Sequence, residues 1–210
     1  MDEPITKRSF YFCKAGVWNR GTPPDSFLNE LLDWARKAPD VIFAPNTVPV
    51  DIFTVIKSSL GTKIGEDSME APIYKWDDLL HRKSALLEAM RVHAGFESSW
   101  NWNEGVDLTN KTSMKNKTGE ETGIFQVSFD SEWLGAEALG SFSAQNDIET
   151  PEKFITAMKV NHELALEYYA RLSRISIRWA GPLLRHGSDS IYPYLKRDAV
   201  LEFQKFLACA

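Results

Sequence analysis

Between Trp76 and Ser98 the chain repeats apolar residues at helical spacing and then stops on a carboxylate. Leu79, Lys83, Leu86, Met90, Ala94 and Glu97 follow one another at intervals of three or four, so on a helix they form one stripe, apolar except for the stem of Lys83. Asp77 and Asp78 suit the positive end of such a helix. Ser98-Ser99-Trp100-Asn101-Trp102-Asn103 comes next, poor in helix formers and dense in hydrogen-bonding and aromatic groups, as expected where a helix opens into a cleft. The spacing predicts an amphipathic helix that ends near Ser98 with Glu97 at the cleft.

A second stretch, Glu120-Glu121-Thr122-Gly123-Ile124-Phe125-Gln126-Val127-Ser128, carries a glycine followed by apolar, aromatic and polar side chains. It suits a short strand or turn that comes close to a ligand. Taken in order, Glu97-Ser98-Ser99 and Gly123-Ile124-Phe125-Gln126-Val127 resemble the lysozyme-like superfamily, above all lytic transglycosylases and goose-type lysozymes. The match covers about a quarter of the chain. The resemblance implies a mainly α fold of the α+β kind, with a small β-hairpin or short strand at the cleft. It also implies that the second stretch forms the cleft wall opposite a catalytic glutamate.

Breaking a glycosidic bond needs a proton donor beside the leaving oxygen, commonly a carboxylic acid in apolar surroundings. Glu97, next to Phe96, Trp100 and Trp102, is the candidate acid; an ordinary solvated helix-end glutamate is the alternative. A hydrolase that inverts also needs a base for water, and Glu121, two residues before Gly123, comes first, then Asp107. Glu104 and Glu120 complete the acidic set. The family carries small or apolar residues where this chain has Glu120-Glu121-Thr122, a departure that favours hydrolysis over the lytic reaction. Gln126 is expected to hold a sugar substituent or to orient Glu97, with Ser99, Thr122 and Phe125 beside it, and Trp100 and Trp102 could stack on sugar faces or pack in the core. His93, one turn before Glu97, could hydrogen-bond it.

Neither a metal nor a cofactor is expected. His81, His162 and His186 share no ligand spacing, and Asp107-Leu108-Thr109-Asn110 lacks the rest of a calcium loop. No nucleophile-elbow glycines flank Ser98 or Ser99, and no phosphate-cradling glycine motif occurs. A net charge of -5 with scattered lysines and arginines offers no case for nucleic acid. That acidity weighs mildly towards a cationic sugar such as chitosan. The expected partner is a polysaccharide, peptidoglycan first and chitosan or chitin second, with an immunity or inhibitor protein as a further partner class and a monomer as the working form. No apolar run approaches the roughly 20 residues of a membrane span. The opening residues lack the basic-then-apolar layout of a secretory signal, so a protein acting outside the cytoplasm would need another export route. Cys13 and Cys209 allow one bridge joining the ends or two buried free thiols.

The 210 residues are expected to form one domain, with 1–75 as a helical extension packed on a catalytic core of 76–210. Phe10, Tyr11, Phe12 and Trp18 are expected anchors, and a helix capped by Asp25 or Ser26 runs to about Lys37. Further helices are expected over about 50–60, 131–139, 150–174, 175–184 and 192–207. Thr150-Pro151-Glu152 supplies a cap, a first-turn proline and an acidic residue for the longest of these. Strand signals are sparse.

Overall fold

The computed structural model describes residues 8–17, 19–45, 51–60, 76, 78–105, 117–131, 136–175, 183 and 194–209. Among them the chain is mainly helical, as its periodicity requires. In order come α1 (Asp25–Lys37), α2 (Ile52–Leu60), α3 (Leu79–Ser98), α4 (Ala136–Gln145), α5 (Pro151–Val160), α6 (His162–Ser173) and α7 (Arg197–Ala208). Asp107, Trp18, Gly61, His186 and most of 175–184 lie outside the described residues.

The long helix starts where the aspartates lead: Asp78 is the cap, and its carboxylate accepts from His81 N at 3.0 Å. Its burial differs from the expected stripe. Every residue from Ser84 to Gly95 is buried, so α3 runs through the centre of the protein with neighbours on all sides. The off-stripe polar residues misled the periodicity because their partners are themselves buried. Arg91 grips Glu88 through Nε and Nη2 at 2.7 Å each, and both side chains are fully buried. Arg91 also donates to Ala15 O at 2.6 Å, and Lys196 N donates to Glu88 Oε1 at 2.7 Å. This buried ion pair fastens the start of the chain and the head of α7 to α3, which packs mainly against α7 and also against α1 and α2.

Several boundaries move for local reasons. Pro24, not a side chain, stands at the head of α1, which leaves Asp25 in the first turn and in contact with Lys14 at 2.8 Å. Asp51 heads α2, accepting from Phe53 N at 3.0 Å and from Arg174 Nε at 2.8 Å. Of the helix expected over 131–139, residues 132–135 lie outside the described residues; 136–139 are helical, and the expected loop after them is helical as far as Gln145. Thr150 and Pro151 start α5 as expected, yet the helix stops at Asn161, whose backbone leaves helical geometry (φ -101°, ψ 88°). The Asn161 side chain then accepts from Leu164 N at 3.1 Å and starts α6. The last helix begins at Arg197 rather than Tyr192.

Of the expected anchors, Phe10 packs on Phe206 with centroids 5.2 Å apart, whereas Tyr11 is 76% exposed and Phe12 42%. Both thiols are free, and only Cys13 is buried. Burial and then a hydrogen bond to Glu202 push the Cys13 thiol far above the ordinary range. No helix among the described residues is long and apolar enough to cross a membrane.

Candidate functional site

The end of α3 is set by two successive left-handed residues, Ser99 (φ 54°) and Trp100 (φ 62°), which turn the chain back on itself. Trp100 folds over Gly95: a Cβ at that glycine would sit 2.6 Å from the indole, and the ring N–H donates to Arg91 O at 2.9 Å. Ser98 Oγ accepts from Asn101 N at 3.1 Å and lies 2.8 Å from Ile124 O and 3.1 Å from Ala94 O. Gly123 N donates to Glu104 O at 2.9 Å. Two stretches more than twenty residues apart in sequence are thus stitched at both sides of the helix end.

The second stretch is a tight turn closed by a single antiparallel bridge, Thr122 to Val127, with N–H···O distances of 2.9 and 3.2 Å. Gly123 takes φ +71°, and a Cβ there would meet Met158 O at 2.7 Å. The close approach expected of this glycine therefore serves α5 rather than a ligand. Gln126, also left-handed (φ 48°), donates through Nε2 to Gly123 O at 2.9 Å and braces the turn.

Glu97 sits on the flank of the last helical turn with its side chain 27% exposed, and His93 Nε2 lies 3.4 Å from Oε1. Behind it, His93 is 4% exposed, and its Nδ1 is 2.6 Å from the hydroxyl of Tyr169 on α6. Phe125 stacks on Tyr169 with centroids 4.1 Å apart and planes 11° from parallel, and meets His93 edge-on at 6.2 Å. Burial, and after it the charge of Glu97, raises the Tyr169 phenol well above its usual range, so it stays protonated. The carboxylate is therefore backed by a histidine and two rings and open on one side. Such a group can hold, donate or accept a proton next to a ligand that arrives from that side.

The other expected residues divide into neighbours and packing. Glu104, Glu120 and Glu121 are half-buried on or beside the turn, and Glu104 Oε2 accepts from Asn101 Nδ2 at 2.9 Å. Ser99 is exposed at the helix end. Trp100, Thr122 and Phe125 are buried inside, at 4%, 0% and 3% exposure, so none of the three presents a face to a sugar. Among the described residues the Thr122 hydroxyl has no hydrogen-bond partner. Trp102 is half-buried; one face stacks on His162 at 3.8 Å, and the ring also meets Phe27 at 6.0 Å. Tyr169 falls on the helical repeat of Phe154, Met158, His162 and Ala165, and nothing in that spacing marks it as the partner of His93. The His93–Glu97 interval of four is the one signal that was legible.

Among the described residues no group of three or more His, Cys, Asp or Glu side chains is arranged to hold a metal. An open cleft of about 550 Å³ lies elsewhere, lined by Trp34, Lys37, Phe142, Asn161, Glu167 and Arg171 among others, and no expected site residue lines it. No family model matches the sequence, and neither a curated protein nor a solved structure matches the chain.

Proposed function

We propose that this chain is a lysozyme-like glycoside hydrolase that cleaves a β-1,4-linked amino-sugar polymer, with peptidoglycan as the substrate. Glu97 is the general acid. Glu121 or Asp107 directs water to the sugar carbon. The observation that carries this reading is the junction of Ser98 with Ile124 at 2.8 Å, which sets a half-buried carboxylate beside a glycine-led turn bearing further acidic residues. A carboxyl partly removed from water and a nearby second carboxylate are the two groups that glycoside hydrolysis requires. The presence of Glu120 and Glu121 on that turn favours a water-activating base over the lytic route, which manages with one glutamate. The polysaccharide would be met outside the cytoplasm.

Incubation with purified peptidoglycan followed by mass analysis of the released fragments tests the reading. Reducing ends are expected. Anhydro ends would replace the hydrolase by a lytic transglycosylase, and release from chitosan but not from bacterial walls would move the substrate to the cationic polymer that the net charge of -5 suits. Glycan binding without any fragment would leave a binding protein.

A further inference from the structure

We infer that Tyr169 locks His93 as its Nε2–H tautomer, and that His93 thereby presents an N–H on the Oε1 side of Glu97 and leaves Oε2 to meet the substrate. The role given to Oε2 rests on the hydrolase reading above, whereas the tautomer follows from burial and hydrogen-bond inventory. The Tyr169 side chain is 1% exposed, and its hydroxyl has no partner among the described residues other than His93 Nδ1, at 2.6 Å. A neutral imidazole carries one N–H and one acceptor nitrogen. If the proton were on Nδ1, it would donate to the tyrosine oxygen, and the buried phenolic O–H would have no acceptor, a state that folded chains avoid. Whenever Glu97 is ionised, the same tautomer would also set the Nε2 lone pair beside the carboxylate, acceptor against acceptor. With the proton on Nε2 both conflicts vanish: Tyr169 O–H donates to Nδ1, and the atom 3.4 Å from Oε1 carries a hydrogen instead of a lone pair.

Phe125 keeps the two rings in place. Phe125 lies flat on Tyr169 and edge-on to His93, so the turn of the second stretch fixes the rings that face Glu97. His93 is a positioning residue in this scheme. It never touches the sugar; an N–H on the Oε1 side leaves Oε2 as the oxygen that meets the substrate.

The test uses the full chain labelled with ¹⁵N-histidine. The chain has four histidines, so the His93 signals are assigned by their loss in His93→Gln. The expected spectrum at neutral pH shows Nδ1 as an unprotonated acceptor and Nε2 as protonated, with both tautomers populated in Tyr169→Phe. A wild-type spectrum with the proton on Nδ1 overturns the inference whatever the protein does to glycans. Turnover supplies the second readout: His93→Gln keeps an N–H donor and is expected to retain at least tenfold more kcat than His93→Leu at similar KM. Equal losses in two folded variants would remove the positioning role. A wild type that shows the Nε2–H pattern and cleaves no glycan contradicts the hydrolase reading and upholds the tautomer.

Discussion

Gly95, Gly123 and Gly140 separate what a single methyl group does in three settings. At Gly95 the added carbon meets the Trp100 ring at 2.6 Å, and at Gly123 it meets the Met158 carbonyl at 2.7 Å on a backbone with φ +71°. Gly95→Ala is expected to lower stability by about 1–3 kcal/mol despite alanine's helix preference, because an overpacked ring has to shift. Gly123→Ala should lose more, about 2–4 kcal/mol, since a left-handed backbone penalty of about 1–2 kcal/mol adds to the clash. Gly140, on α4, has nothing within 4 Å, so alanine there should gain about 0.5–1 kcal/mol. Urea unfolding of the three variants checks the order. These requirements were only half legible: the sequence shows a glycine before Ile124, but not that a carbonyl of α5 would be pressed against it.

For whole helices, caps and prolines were the readable part. Asp78, Thr150 and Pro151 mark true starts because each acts on its own first turn. The break at Asn161 was hidden by an apolar stripe that continues through Met158, His162 and Ala165 on both sides of it. Reading α3 as amphipathic failed for the opposite reason, since Glu88 and Arg91 are polar in sequence and fully buried in the fold. Removing one partner leaves an uncompensated charge in the centre of the protein. Glu88→Ala is therefore expected to destabilise by about 3–5 kcal/mol, measured by chemical denaturation, whereas breaking an exposed pair such as Lys37–Glu163 should leave the midpoint where it was. The Asp78 cap carries a pH signature. Its carboxyl titrates below its ordinary value of 3.8, chiefly through the His81 backbone N–H, so its contribution to α3 is present above that value and is lost as pH falls below it.

At the scale of the whole molecule, the ends of the chain and the two candidate stretches are both brought together, by different means. Glu202 on α7 accepts from Tyr11 N and Cys13 N at 2.8 and 2.6 Å, which buries Cys13 and leaves Cys209 outside without a bridge. A thiol-reactive dye should count one fast cysteine in the native protein and two in denaturant; two fast thiols in the native state would contradict that packing. The ordered pair of motifs foretold which stretches would lie side by side, because each is short and locally specified. It did not foretell that Trp100 and Phe125 would turn inward, since an aromatic residue beside a cleft and one beneath it look alike in sequence. Cleavage as proposed stands on Glu97 acting as the acid. The most direct measurement is kcat on purified peptidoglycan for the wild type and for Glu97→Gln, with thermal unfolding to show that both are folded. A loss of at least about a hundredfold with glycan affinity kept is expected of a general acid, and an unchanged kcat would contradict the account.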